Sequence, residues 1–63
     1  MPWVTVNIME GRTETQKRML HKKVAAAVSE SLSIPVERVR VQIVDMTPLD
    51  HSVGGITFDK LKP

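Results

Sequence analysis

The sequence predicts an α/β fold in which one long helix connects two parallel strands. Alternating apolar and polar residues predict a first strand over residues 3–9 and a second over residues 39–44. Between them, apolar residues recur at helical spacing for roughly five turns. A helical crossover makes the strands that it joins parallel, so the order is a β-α-β unit. With 63 residues, the chain has room for a single domain, residues 1–63.

The first strand has one face to bury. Val4, Val6 and Ile8 alternate with Thr5 and Asn7, which is the period of two expected of a half-buried strand.

Local signals bound the helix. Thr13 and Gln16 have the spacing of a capping box, in which each side chain accepts a hydrogen bond from the other residue's backbone amide, so the helix begins after Thr13. It ends before Pro35, which disfavours helical geometry in the residue before it. The predicted apolar stripe consists of Leu20, Val24, Ala27, Val28 and Leu32.

The alternation in the second strand predicts that one face of the sheet is left for another subunit to cover. Val39, Val41 and Ile43 form the face that packs on the helix. The opposite face of the sheet has no cover within the chain, so another subunit should cover it. That face carries Thr5, Asn7, Gln42 and Val44.

The last part of the chain contains less regular signals. Residues 49–53 are predicted to be a loop, Gly54 and Gly55 a tight turn, and residues 56–58 a short added strand.

Composition favours self-association. A chain of 63 residues buries only about 60% of its unfolded surface, and the absence of cysteine excludes disulfides and thiolate-bound metals. With 41% apolar residues the chain is not disordered by composition, so an oligomer is expected. No apolar run is long enough for a membrane span and no leader is visible, so a soluble, cytoplasmic protein without a membrane partner is expected.

A basic cluster keeps one alternative open. Residues 17–23 contain Lys17, Arg18, Lys22 and Lys23, although the net charge is only +2. A small dimeric ribbon-helix-helix DNA-binding protein is therefore an alternative, but that architecture needs two helices after its strand. A solvent-exposed helix face explains the cluster better, and no nucleic-acid partner is expected.

Pro2 is the first candidate catalytic residue. If Met1 is removed, its nitrogen becomes a secondary amine, and both burial and nearby arginines would lower the pKa of that amine. An amine that is largely unprotonated near neutral pH can act as a general base. Arg12 and Arg40 could hold a dianionic substrate and stabilise negative charge that develops on an enolate. Two histidines without cysteine match no zinc spacing, so neither a metal nor a cofactor is expected.

The sequence resembles the 4-oxalocrotonate tautomerase family over nearly its whole length and without a gap. The residues that carry the resemblance are Pro2, Glu10-Gly11-Arg12-Thr13, Gln16-Lys17, Ser31-Leu32, Pro35, Val39-Arg40-Val41, Met46 and Gly54-Gly55.

The resemblance implies a β-α-β fold with a short C-terminal hairpin that assembles into a hexamer, a trimer of dimers. It implies an isomerase in which Pro2 is the general base and moves a proton in a small enol or unsaturated 2-oxo or 2-hydroxy acid. Arg40 would bind the carboxylate and the oxygen where charge develops. Arg12 would hold the far carboxylate, both arginines would come from neighbouring subunits, and a homohexamer or a heterohexamer would fit.

One residue departs from the family pattern. His51 stands where the best-known members have a phenylalanine, which makes the pocket more polar; Met9 and His51 are both expected to contact substrate. A polar pocket could also favour the addition of water to an alkene, with Asp45 or Asp50 as the extra carboxylate. Retention of Met1 would instead leave Pro2 in an amide, as in a non-catalytic paralogue or the partner subunit of a mixed hexamer.

Overall fold

A computed structural model describes residues 1–61 and confirms the predicted β-α-β order. A short antiparallel hairpin follows, as the resemblance implied. The elements are β1 (Trp3–Met9), α1 (Glu14–Leu32), β2 (Arg40–Met46), β3 (Ser52–Val53) and β4 (Ile56–Thr57).

The two long strands are parallel and match residue for residue. Trp3 lies opposite Arg40 and Met9 lies opposite Met46. The backbone hydrogen bonds continue past both ends of β1, because the Arg40 amide donates to the Pro2 carbonyl at 3.1 Å and the Glu10 amide donates to the Met46 carbonyl at 2.7 Å. The register therefore fixes which residues of the two strands are neighbours at each edge of the sheet.

The helix begins where the capping box predicts. The Gln16 amide donates to the Thr13 hydroxyl at 3.1 Å, and the Thr13 amide donates to the Gln16 side-chain oxygen at 3.0 Å. At the other end, Ser33 adopts the left-handed conformation with φ of 55° and its amide donates to the Ser29 carbonyl. The left-handed residue ends the helix two positions before Pro35.

The chain covers its own apolar side chains only partly. Among residues 1–61 none is fully buried. The apolar strand residues under the helix and the helix residues Leu20, Val24 and Val28 are half-buried, whereas Ala27 and Leu32 of the predicted stripe are exposed. On the opposite side of the sheet the polar residues are exposed, and this open face is here taken as Trp3, Thr5, Asn7, Met9, Arg40, Gln42, Val44 and Met46.

The prediction of a loop over residues 49–53 is wrong in part. Pro48–Asp50 forms a 3-10 turn, and β3 then pairs with β4 across Gly54 and Gly55. Both glycines have positive φ, +61° and +84°, which suits a tight hairpin turn. A strand of two residues is too short to produce an alternation pattern, and for this reason the sequence pattern did not indicate β3.

The molecule is elongated. Its extents are 42 × 25 × 17 Å and its radius of gyration is 14.8 Å, whereas a compact domain of this length would have about 11 Å. The hairpin packs mainly on the 3-10 turns around it rather than on the β-α-β unit. No helix within residues 1–61 is long and apolar enough to cross a membrane.

Thr13→Ala should lower the free energy of unfolding by about 1 kcal/mol, because it removes the side-chain acceptor at the helix N-terminus. Thr15→Ala, in the first turn of the same helix, is the matched control and should change stability far less. Urea unfolding at one fixed protein concentration measures both. Equal losses in the two variants would show that the cap contributes nothing.

Candidate active site

Pro2 and Arg40 are neighbours at one edge of the sheet. The strand register brings them together through the 3.1 Å hydrogen bond from the Arg40 amide to the Pro2 carbonyl. Pro2 is half-buried, and Arg40 lies on the open face, as the sequence alternation predicted. The register thus holds the backbones of Pro2 and Arg40 side by side.

The Arg40 guanidinium has no acidic partner within residues 1–61. Its central carbon lies 5.8 Å from the centre of the Trp3 ring, and its Nε donates to the Met1 sulfur at 3.2 Å. The ion pairs of the described residues involve other cations. Arg40 therefore has the charge and donors needed to bind a carboxylate or an enolate oxygen.

Arg12 lies beyond the other end of β1. It is exposed and lines an open cavity of about 220 Å³ with Ile8, Gln16, Lys17 and Leu20. The Lys17 ammonium is already paired with the Asp45 carboxylate, so Arg12 is the cation in this cavity without a partner among residues 1–61.

One chain does not bring Pro2 and Arg12 together. The seven residues of β1 lie between them, and at about 3.3 Å per residue they separate the two by roughly 20 Å. A substrate of a few carbon atoms cannot span that distance. A site containing both residues must take them from different copies of the chain.

Met9 and His51 also lie away from Pro2, because both come at or after the ends of the parallel strands that are opposite to the Pro2 edge. Met9 is half-buried on the open face opposite Met46, at the end of β1 nearest Arg12. His51 follows the 3-10 turn beyond β2, is exposed, and has its ring 5.7 Å from the Phe58 ring. Its carbonyl accepts from the Phe58 amide at 2.8 Å, so the hairpin fixes its backbone.

The two carboxylates considered for water addition are both engaged. Asp45 pairs with Lys17 on the helix side of the sheet. Asp50 accepts hydrogen bonds from the Thr47 hydroxyl at 2.8 Å and from the Thr47 amide at 3.2 Å. These two hydrogen bonds hold the pKa of the Asp50 carboxyl below its ordinary value, and the bond from the Thr47 hydroxyl has the larger effect.

The basic cluster is partly paired within the chain. Lys17 contacts Asp45, and Arg18 lies 3.6 Å from Glu14 one helical turn away. A single α-helix between parallel strands is not a ribbon-helix-helix arrangement, so that alternative is wrong. Within the described residues, no group of three or more histidine, cysteine or acidic side chains is arranged to hold a metal ion.

The sequence pattern gave Trp3 no role beyond its place in a strand, yet its ring contacts Arg40. Alternation placed Arg40 on the open face. It could not show which residue of the first strand lies opposite, because the register of a parallel pair depends on the whole crossover.

Comparisons with known proteins agree on one family. The family model described as tautomerase enzyme matches residues 2–60. A probable tautomerase of Bacillus cereus is 51% identical over 55 residues, 87% of this chain and 90% of that protein. A 2-hydroxymuconate tautomerase of Pseudomonas putida is 43% identical over 61 residues, 97% of each chain. A heterohexamer 4-oxalocrotonate tautomerase from Chloroflexus aurantiacus has a TM-score of 0.89 and 31% identity, covering 98% of this chain and 100% of the other.

Acidification should loosen the turn before His51. Because the pKa of Asp50 is lower in the folded chain, its ionised carboxylate stabilises the turn above the ordinary aspartate pKa, and this contribution is lost as the pH falls through the folded pKa. In NMR titrations the chemical shift of the Thr47 amide should change as the Asp50 carboxylate is protonated. In the Asp50→Asn variant this pH-dependent change should be absent. If the Thr47 amide shift still changes in acid in the Asp50→Asn variant, the assignment to Asp50 is contradicted. Glu37→Gln, in another 3-10 turn, is the control and should leave the Thr47 titration unchanged.

Proposed function

This chain belongs to the tautomerase family, within its 4-oxalocrotonate tautomerase group, and we propose that Pro2, freed by removal of Met1, is the general base of its reaction. Tautomerases are isomerases, so the chain is an enzyme of that class. The observation that carries the proposal is the backbone hydrogen bond that holds the start of β2, at Arg40, beside Pro2.

The reaction proposed is a proton transfer without net change in composition. The Pro2 nitrogen takes a proton from an enol oxygen or a carbon of the substrate and returns it to another carbon. Negative charge develops on the oxygen next to the carboxylate, where the Arg40 guanidinium would stabilise it. A secondary amine needs neither a metal nor a cofactor for this step.

The substrate class proposed is a small enol or unsaturated 2-oxo or 2-hydroxy acid with one or two carboxylates. The name of the Pseudomonas putida relative, 2-hydroxymuconate tautomerase, supports an acid of this kind. Two separate guanidinium groups without acidic partners within residues 1–61 suit a dianion. His51 and Met9 would contribute a polar and an apolar contact.

The active site is proposed to be shared between subunits of a hexamer. Pro2 and Arg12 are separated by the length of β1, so Arg12 would come from another copy. The resemblance implies the same of the Arg40 guanidinium, since only the backbone of Arg40 is tied to Pro2 of its own chain. The open face, the elongated shape and the absence of fully buried residues within residues 1–61 support association. A homohexamer is the simplest assembly, whereas the Chloroflexus aurantiacus relative is a heterohexamer.

A non-catalytic subunit is the second candidate. A retained Met1 would keep the Pro2 nitrogen in an amide without useful basicity, and its sulfur would accept a hydrogen bond from the Arg40 Nε. The intact mass of the protein purified from its own cells decides between the two candidates. Loss of one methionine residue supports the enzyme, and a retained methionine supports the partner subunit.

Pro2→Ala should lower kcat for ketonisation of phenylenolpyruvate by about 100-fold, because the secondary amine is replaced by a primary one with a different position and basicity. Both proteins must first be shown by mass to lack Met1. Turnover equal to that of the unchanged protein would contradict the assignment of the base.

Arg40→Gln and Arg12→Gln should each lower kcat/KM for a dicarboxylate substrate by about 10- to 100-fold, since each removes hydrogen bonds between charged groups. Arg38→Gln and Arg18→Gln are the matched controls, because these arginines are exposed and lie outside the proposed site. On a monocarboxylate, Arg12→Gln should have the smaller effect. Equal losses in the site and control variants would point to net charge instead.

A further inference from the structure

We propose that Trp3 is a positioning and specificity residue: its indole face holds the Arg40 guanidinium so that the guanidinium edge is presented to a flat, conjugated carboxylate beside Pro2. The reaction at Pro2 belongs to the proposed function, on which this inference rests for its link to catalysis. The contact between Trp3 and Arg40 is an observation independent of that function.

The geometry is that of a cation over an aromatic ring. The central carbon of the Arg40 guanidinium lies 5.8 Å from the ring centre of Trp3, within the roughly 6 Å over which the ring attracts a cation. The register places the two residues directly opposite each other on neighbouring strands. The contact is therefore fixed by backbone pairing as well as by attraction.

In the proposed arrangement the guanidinium stacks on the ring through its own face, which leaves the edge of the guanidinium available. Its N–H donors lie in the plane of the group and match the two oxygens of a carboxylate. Among residues 1–61 the Met1 sulfur is the partner of that edge, and it is a weak acceptor. Removal of Met1 would thus free both the Pro2 amine and the Arg40 Nε.

The Trp3 ring contributes little to the core of its own chain. It is 67% exposed and lies on the open face, next to the residue proposed as the base. A flat conjugated acid can lie against the ring while its carboxylate meets the guanidinium edge. A saturated acid of equal charge must fix additional torsions and offers no conjugated face, so it should bind more weakly.

The first test uses Trp3 as its own reporter, because it is the sole tryptophan of the chain. Protein lacking Met1 is titrated with fumarate and with succinate, which have equal charge and carbon number but differ in planarity. Fumarate should change the tryptophan emission saturably and bind more tightly than succinate. Arg40→Gln should abolish the saturable change, and Arg38→Gln should retain it.

The second test separates the aromatic face from apolar bulk. Trp3→Leu should raise the fumarate Kd and the KM for an unsaturated acid by about two- to fivefold with a smaller change in kcat, whereas Trp3→Phe should lie closer to the unchanged protein. Binding to the leucine and phenylalanine variants is measured by calorimetry. Native mass, which reports the assembly of each variant, is compared first. If Trp3→Leu does not assemble, the Trp3→Phe variant and the emission titration decide the role of Trp3.

Two results would overturn the inference: an emission that does not respond to fumarate, or a Trp3→Leu protein of unchanged KM and native mass. Failure of the proposed function gives a different result. In that case Pro2→Ala would keep its turnover, while the fumarate response and its loss in Arg40→Gln would still decide the role of Trp3.

Discussion

A two-stranded sheet with a single helix on one side leaves its other side without a cover. The effect is visible in this chain, because no residue from 1 to 61 is fully buried and the hairpin packs mainly on the 3-10 turns around it. A chain of this size cannot bury enough apolar surface alone, and it has no disulfide to compensate. Completion of the core and completion of the active site would then be one event, association with other copies.

The parallel register is the second determinant of the site. Parallel strands begin at the same edge of a sheet, so the start of β2 arrives beside the start of β1. This brings Arg40 next to Pro2 and opposite Trp3 although nearly forty residues separate them in the sequence. The same register places the Arg12 end of β1 at the far edge. The division of the proposed site into two parts would thus follow from the strand pairing.

Much of the fold could be predicted from sequence because its signals are local. The alternation in the first strand and the capping box at Thr13 depend on residues a few positions apart, and both matched the structure. The contact of Arg40 with Trp3 and the pairing of Lys17 with Asp45 depend on how the crossover sets the register, which no local pattern encodes. The exposure of Leu32 has a related cause, since helical periodicity shows that a face is apolar but not whether the chain itself covers it. The roles proposed for Pro2 and Arg12 rest on chemistry and on the resemblance.

The roughly 20 Å between Pro2 and Arg12 has a genetic consequence if the active site is shared between copies. A subunit with a defect at Pro2 could then still supply Arg12, and a subunit with a defect at Arg12 could still supply Pro2. Two inactive alleles expressed together could therefore form some intact sites by complementation. After gene duplication, each copy would be free to lose the residue that the other supplies. Such a divided site would allow obligate pairs of dissimilar subunits to evolve.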